Sequence, residues 1–224
     1  MALVPSQPPI PDRGTPVPRG RHAPPLEVRV GVQRRRLLDA AAVVFARVGY
    51  ADASAVGISR EAGMSKATFY EHFANKEEAI LGLFDEAVTE VILAMAAAEP
   101  ARNEQSTYEA WMQAGLRAFL DKLAEEPEAA QTLLVEIIGA GPRAMERRDA
   151  VLDAFAGALH RDNARVAPRF GAPTFADPDD AFAVIGAIVE VVSRQLRTGQ
   201  PADIRDVEPV LMRVVLGVLT QSAR

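Results

Sequence analysis

Residues 54–73, SAVGISREAGMSKATFYEHF, constrain the fold more than any other part of the chain, because they encode two short helices and the turn between them. The first helix is expected over 54–62, with the Ser54 hydroxyl capping it and Val56, Ile58 and Ala62 supplying apolar contacts. Gly63 then ends it, since a turn this sharp needs positive φ and glycine adopts it without a Cβ clash. Ser65 caps a second helix over 66–73, whose Phe69 and Phe73 sit four apart and share the inward face. The other face offers Lys66, Ala67, Thr68, Tyr70 and His72, a set that reaches base edges and phosphates when such a helix lies in a major groove. The pattern is a helix-turn-helix.

Three consecutive segments extend it: RRRLLDAAAVVFARVGY (34–50), ISREAGMSKATFYEHF (58–73) and NKEEAILGLFDE (75–86). Together they resemble the tetracycline-repressor (TetR) family of bacterial transcription regulators. The resemblance implies an all-α protein, with an N-terminal three-helix DNA-binding domain and a C-terminal helical domain for ligand binding and dimerisation. It divides the chain into an arm over 1–26, a reader over 27–82 and a regulatory domain over 83–224. By position in the family, Lys66 donates to guanine N7 and O6, Ala67 approaches a thymine methyl, and Tyr70 contacts a base or a phosphate. Ser54, Ser65, Thr68, His72 and Lys76 hold phosphates and set register. Two positions depart from the family. Ala53 stands where relatives usually carry Thr, and Glu71 where an aromatic or neutral side chain is common.

Charge follows the same division. Residues 1–82 carry 11 of the 25 Lys and Arg against 8 of the 30 Asp and Glu, whereas 83–224 carry 14 against 22. A DNA-facing region should be the more basic one, because neutralising phosphates supplies most non-specific affinity. Arg13, Arg19, Arg21, Arg29, Arg34, Arg35 and Arg36 hold most of that positive charge. Residues 1–26 contain eight of the 16 prolines and few large apolar side chains, so they are expected to be disordered. Two readings of this arm stay open, a basic strap along the DNA and a solvated tail.

Cysteine is absent, which excludes disulfides, thiolate metal sites and cysteine nucleophiles, and leaves His22, His72 and His160 as the imidazoles. None of these has metal-ligand spacing, and no phosphate loop or nucleophile constellation is visible, so neither a cofactor nor an enzyme is expected. With no signal-peptide core and no long apolar run, the chain is expected to be cytoplasmic, without membrane contact.

Beyond the reader, Asn75 and Glu78 form a capping pattern before a helix from 76 to about 98. Ser106 and Glu109 repeat it before a helix ending near 126. Pro127 opens a helix to about 139, and Pro142 another to about 166. In the resembled family these helices enclose a small-molecule pocket, to which Tyr108, Trp111, Met112, Phe119, Met145 and Phe155 are the candidates, although such residues on amphipathic helices are usually ordinary core. Glu136, inside the apolar run LLVEIIGAG, would select a cationic ligand if it faced the pocket; on the solvent side it would be an ordinary surface carboxylate. Two apolar helices close the chain, over 177–198 and 206–222. Their Phe182, Ile185, Val189, Val192, Leu196, Leu211, Val214, Val215 and Val218 are candidates for a four-helix dimer interface, as in TetR relatives, or for burial within one subunit.

The function expected is therefore a regulator, most simply a repressor, that binds a palindromic DNA operator as a homodimer and is released by a small-molecule inducer. A ligand-independent architectural or partner-binding DNA protein is the alternative.

Overall fold

Amphipathic spacing, caps and glycine stops divide the chain into helices, and the computed structural model describes residues 26–98 and 107–222. Among them nine α-helices follow in order: α1 Leu26–Asp52, α2 Ala55–Glu61, α3 Lys66–His72, α4 Lys76–Ala97, α5 Tyr108–Glu125, α6 Pro127–Leu134, α7 Pro142–Val166, α8 Pro178–Thr198 and α9 Glu208–Ser222. Short 3-10 turns occur at Glu136–Gly139, Ala167–Phe170 and Ile204–Val207. The expected arm, except for Leu26, and the expected cap Ser106 lie outside the described residues.

The caps form where the sequence signals them. Ser54 Oγ accepts the Gly57 N–H at 3.1 Å and Ser65 Oγ accepts the Thr68 N–H at 3.0 Å. Asn75 Oδ1 accepts the Glu78 N–H at 3.0 Å, but the Glu78 side chain takes Arg143 of α7 at 2.7 Å instead of closing the box. Asp177 opens α8 with a full capping box. The residue capping α5 is Thr107, whose Oγ1 accepts the Ala110 N–H at 3.1 Å.

Two boundaries differ from expectation. α6 stops at Leu134, because Val135 leaves helical geometry (φ −121, ψ −60) and the chain tightens into the 3-10 turn before Gly141 (φ 107). That turn drives Ile137 fully into the core. The last helix starts at Glu208, after a 3-10 turn that buries Ile204 and Val207 and is capped by Asp203.

One large apolar cluster runs through both parts of the molecule. Phe45, Phe69, Phe73, Ile80 and Phe84 close the space between α1, α3 and α4, and the same cluster continues through Leu120, Leu133 and Ile137 to Val192 and Leu211. The α1 helix packs on α6 and on the Glu136–Gly139 turn as well as on α4, so the first helices rest on the later ones along a broad contact. A second cluster joins Tyr108, Phe175, Val184 and Val215. Its polar centre is Asn163, fully buried, which donates to Tyr108 Oη at 2.6 Å and to the Pro173 carbonyl at 3.3 Å and accepts the Phe175 N–H at 2.9 Å. Burial pushes the Tyr108 phenol above its ordinary pKa, and the Asn163 hydrogen bond offsets part of that rise.

The last two helices turn much of their apolar surface inward. Val189, Val192, Leu211 and Val215 are buried within the chain itself, which removes them from any face offered to a partner. Phe182 is 45 % exposed, and Ile185, Leu196, Val214 and Val218 are half-buried. The outer surface of the pair carries Phe182, Ala183 and Gly186 on α8 and Arg213 and Gly217 on α9.

Replacing Asn163 with Ala strands the Phe175 N–H and the Tyr108 hydroxyl in a buried site. The expected loss is roughly 2–4 kcal/mol, the sum of two unmade buried hydrogen bonds. Urea denaturation should show a lower midpoint with an unchanged slope.

Candidate nucleic-acid interface

The reader is a frame for α3, and its geometry starts at the turn. Gly63 adopts φ 63, which lets Met64 N–H bond the Ser59 carbonyl at 2.8 Å and Gly63 N–H bond the Arg60 carbonyl at 3.1 Å. Arg36 of α1 adds a donor to the Ala62 carbonyl at 3.0 Å, so the end of α2 is held by side chain as well as by backbone. Ile58 and Ala62 are buried as expected, whereas Val56 is 46 % exposed on the outer side of α2.

From this frame α3 buries Phe69 and presents its other face. Lys66, Ala67, Tyr70 and Glu71 are exposed, and Thr68 is half-buried. The Lys66 ammonium lies 5.6 Å from the centre of the Tyr70 ring, so cation and aromatic form one projecting unit. Ser65 and Thr68 share a hydrogen bond between hydroxyls at 2.9 Å. Ser54 and Ser65 are both exposed while serving as caps. Ser54 accepts through its oxygen and keeps its proton for an outside acceptor such as a phosphate.

Two expected phosphate ligands are placed otherwise. Lys76 Nζ donates to the carbonyls of Tyr50, Ala51 and Ala53 at 2.8, 2.9 and 3.1 Å and lies 4.4 Å from the centre of the Tyr50 ring. All three of its protons are taken, so it fastens the end of α1 to the start of α4. His72 is half-buried, and its Nε2 is covered with no hydrogen-bond partner among the described residues, so that nitrogen is closed to an outside acceptor. Ala53, where relatives usually carry Thr, is buried and gives its carbonyl to Lys76.

The α1 arginines are also engaged. Arg34 pairs with Glu86 at 2.9 Å, and Arg35 with Asp39, Glu86 and Glu90 at 3.1–3.2 Å. Lys122 of α5 joins Glu90 at 2.8 Å, completing a charged seam across α1, α4 and α5. Burial pushes the Glu86 carboxyl above its usual range despite Arg35 and Arg34. Burial raises Glu90 too, but hydrogen bonds with Lys122 and Glu126 and the charge of Arg35 outweigh it and hold Glu90 below. These arginines stabilise the seam, so less of the N-terminal positive charge faces outward than composition suggests.

A cavity of about 360 Å³ opens beside the seam, lined by Arg35, Asp39, Leu83, Glu90 and Ala129 among others. None of the seven residues expected to line a ligand pocket lines it. Tyr108 stacks on Trp111 with ring centres 5.7 Å apart, and Trp111 and Met112 pack on the second cluster. Phe119 and Phe155 pack on the main core, and Met145 is half-buried on α7. Glu136 faces neither a pocket nor open solvent: its Oε2 accepts the Tyr50 N–H at 2.7 Å and its Oε1 accepts Gln131 Nε2 at 3.2 Å. The signal for that role was Gly49, which takes φ 78 and breaks the α1 ladder just before Tyr50.

Comparison with known proteins adds independent support. Residues 37–82 match the family of bacterial regulatory proteins, tetR family. Comparison with curated proteins gives no match. Among solved structures, the fatty acid degradation regulator FadR from Bacillus halodurans is similar with a TM-score of 0.72 at 21% identity, covering 84% of this chain and 96% of that one. The transcriptional regulator FadR from Bacillus subtilis, solved in complex with stearoyl-CoA, has a TM-score of 0.70 at 18% identity, covering 82% and 98%. PfmR, a TetR family transcriptional regulator from Thermus thermophilus, has a TM-score of 0.63 at 21% identity, covering 82% and 95%. Among the described residues no helix is long and apolar enough to cross a membrane. Residues 37–82 thus match the DNA-binding region of the tetR family of bacterial regulatory proteins, and the described helices share the fold of these solved regulators.

Proposed function

We propose that this protein is a ligand-responsive transcriptional repressor that binds a palindromic operator as a homodimer and leaves it when a small-molecule inducer binds the regulatory helices. The observation that carries the reading is the face of α3, where Lys66, Ala67 and Tyr70 project from a helix fixed by Gly63, Ser65 and the buried Phe69. Lys66 donates to guanine, Ala67 meets a thymine methyl, and Tyr70 reaches a base or phosphate. Ser54, Ser65 and Thr68 set the register on the backbone.

Two-fold symmetry through the outer surface of α8 and α9, centred on Phe182, Gly186 and Gly217, presents the two readers to successive major grooves about 34 Å apart. An inducer acts by favouring an arrangement in which the readers no longer match that spacing. A difference of about 1–3 kcal/mol between the two arrangements corresponds to a 5- to 150-fold change in operator affinity, and the operator must weaken inducer binding by the same factor. The stearoyl-CoA bound by the Bacillus subtilis regulator makes long-chain acyl-CoA thioesters one class to include in an inducer screen, beside neutral and cationic compounds suited to the acidic regulatory half.

Selection from random duplex DNA at two salt concentrations tests the reading, and an inverted repeat should be recovered. Lys66→Ala should then change base preference within each half-site, whereas a uniform loss over all sequences would show that Lys66 touches only the backbone. Sequence-independent, salt-labile binding by the wild type would identify an architectural protein instead. Lys76→Met should lower the melting temperature yet leave the slope of log affinity against log salt unchanged; a slope smaller by about 1 would mean that Lys76 does neutralise a phosphate. Phe182→Glu should yield a monomer in sedimentation and lose affinity for the inverted repeat. A dimer that survives this change would move the interface elsewhere.

A further inference from the structure

The amide of Tyr50 lies inside the reader, and the carboxylate that accepts it belongs to the turn between α6 and α7. The contact spans 86 positions of sequence at 2.7 Å. It exists because Gly49 (φ 78, ψ 161) interrupts α1, so the helical turn that restarts at Tyr50 begins with an N–H that has no carbonyl one turn earlier. A carboxylate is the strongest acceptor a protein can place there, and the positive end of a helical turn favours its charge. The far end of the same short turn is closed by Ala53 N–H on the Gly49 carbonyl at 3.2 Å and by Lys76 on three carbonyls. The link from α1 into α2 is therefore held at its N–H end by the regulatory part and at its carbonyl end by α4.

The turn that carries Glu136 is tied to both neighbouring helices. It joins the end of α6 to the start of α7, is anchored by buried Ile137, and is followed by Gly141 at φ 107. Gln131 of α6 holds the second oxygen of Glu136, and Arg143 of α7 pairs with Glu78 at 2.7 Å and with Glu77 at 3.7 Å. A shift of α6 or α7 thus acts on two places, the first turn of α4 through Arg143 and the end of α1 through Glu136.

We propose that Glu136 is a positioning residue that couples the regulatory helices directly to the reader: its carboxylate sets the angle at which α2 and α3 leave α1, by a route that bypasses α4. The proposal rests on the regulator reading above and adds how the signal crosses. Withdrawal of the carboxylate frees the Tyr50 amide, loosens the turn 50–53, and lets α3 vary its angle to the groove.

The test compares full-length wild type, Glu136→Gln and Glu136→Ala. Hydrogen exchange is followed in peptides containing Tyr50 and in α8, without DNA, and affinity is measured across inverted repeats that differ in half-site separation. Glu136→Ala should speed exchange around Tyr50 about tenfold, as expected for loss of one charge-assisted hydrogen bond, leave α8 unchanged and flatten the preference for one separation. Glu136→Gln keeps an acceptor and should restore most of both properties. The proposal is overturned if Glu136→Ala matches wild type in exchange and separation preference, or if both variants lose protection throughout α8, which would mark Glu136 as a residue of general stability. A wild type that selects no inverted repeat would overturn the regulator reading, while the exchange data still decide whether Glu136 holds Tyr50.

Discussion

A helix leaves its last carbonyls without partners, and in this protein the carbonyls at the end of α1 sit where the reader must be joined to everything else. Lys76 satisfies three of them with a single ammonium and covers the Tyr50 ring at the same time. Each such charged hydrogen bond contributes roughly 1.5–3 kcal/mol in isolation, and they are not additive on one donor. Their larger effect is geometric. Because Lys76 is the first residue of α4, the direction of α4 and the exit of the chain toward α2 are set by the same few atoms, and the reader inherits that direction.

The apolar core makes the arrangement rigid. Phe45, Phe69 and Phe84 are almost wholly buried, and they belong to three different helices, so any tilt of α3 must carry large rings with it. Close packing of this kind makes small displacements costly and favours discrete alternatives over gradual deformation. The charged seam of Arg34, Arg35, Glu86, Glu90 and Lys122 lies over this core. Individually such half-exposed pairs contribute about 0–1 kcal/mol each; as a network they fix which turn of α1 faces which turn of α4 and α5. Held in this way, α3 is tied to α1 and α4.

Much of the reader was legible from local chemistry. Ser54, Gly63, Ser65 and Asn75 each solve a problem of backbone hydrogen bonding within a few residues, and such problems have few solutions. The inward face of α3 followed from the spacing of Phe69 and Phe73, and the outward face from its complement. Where the reading missed, the missing partner lay far along the chain. Lys76 finds its carbonyls more than twenty residues earlier, and Glu136 finds the Tyr50 amide 86 positions away. Val189, Val192, Leu211 and Val215 carried the right hydrophobicity for an interface, but periodicity reports that a face is apolar and not which neighbour covers it. The α6 helix ends early at Val135, where the chain turns to bury Ile137 in the core ahead of Gly139 and Gly141.

By itself the sequence determined the all-α class, the positions of the caps and stops, the helix-turn-helix and the side chains it presents, since all of these depend on interactions within one or two helical turns. Only the tertiary structure decided which charges stay exposed, which apolar residues turn inward, and how the helix-turn-helix is held. Those outcomes depend on long-range pairing, where a lysine or a glutamate serves whichever backbone group the packing leaves unsatisfied. A carboxylate in an apolar run is ambiguous until the fold brings a broken helix to meet it.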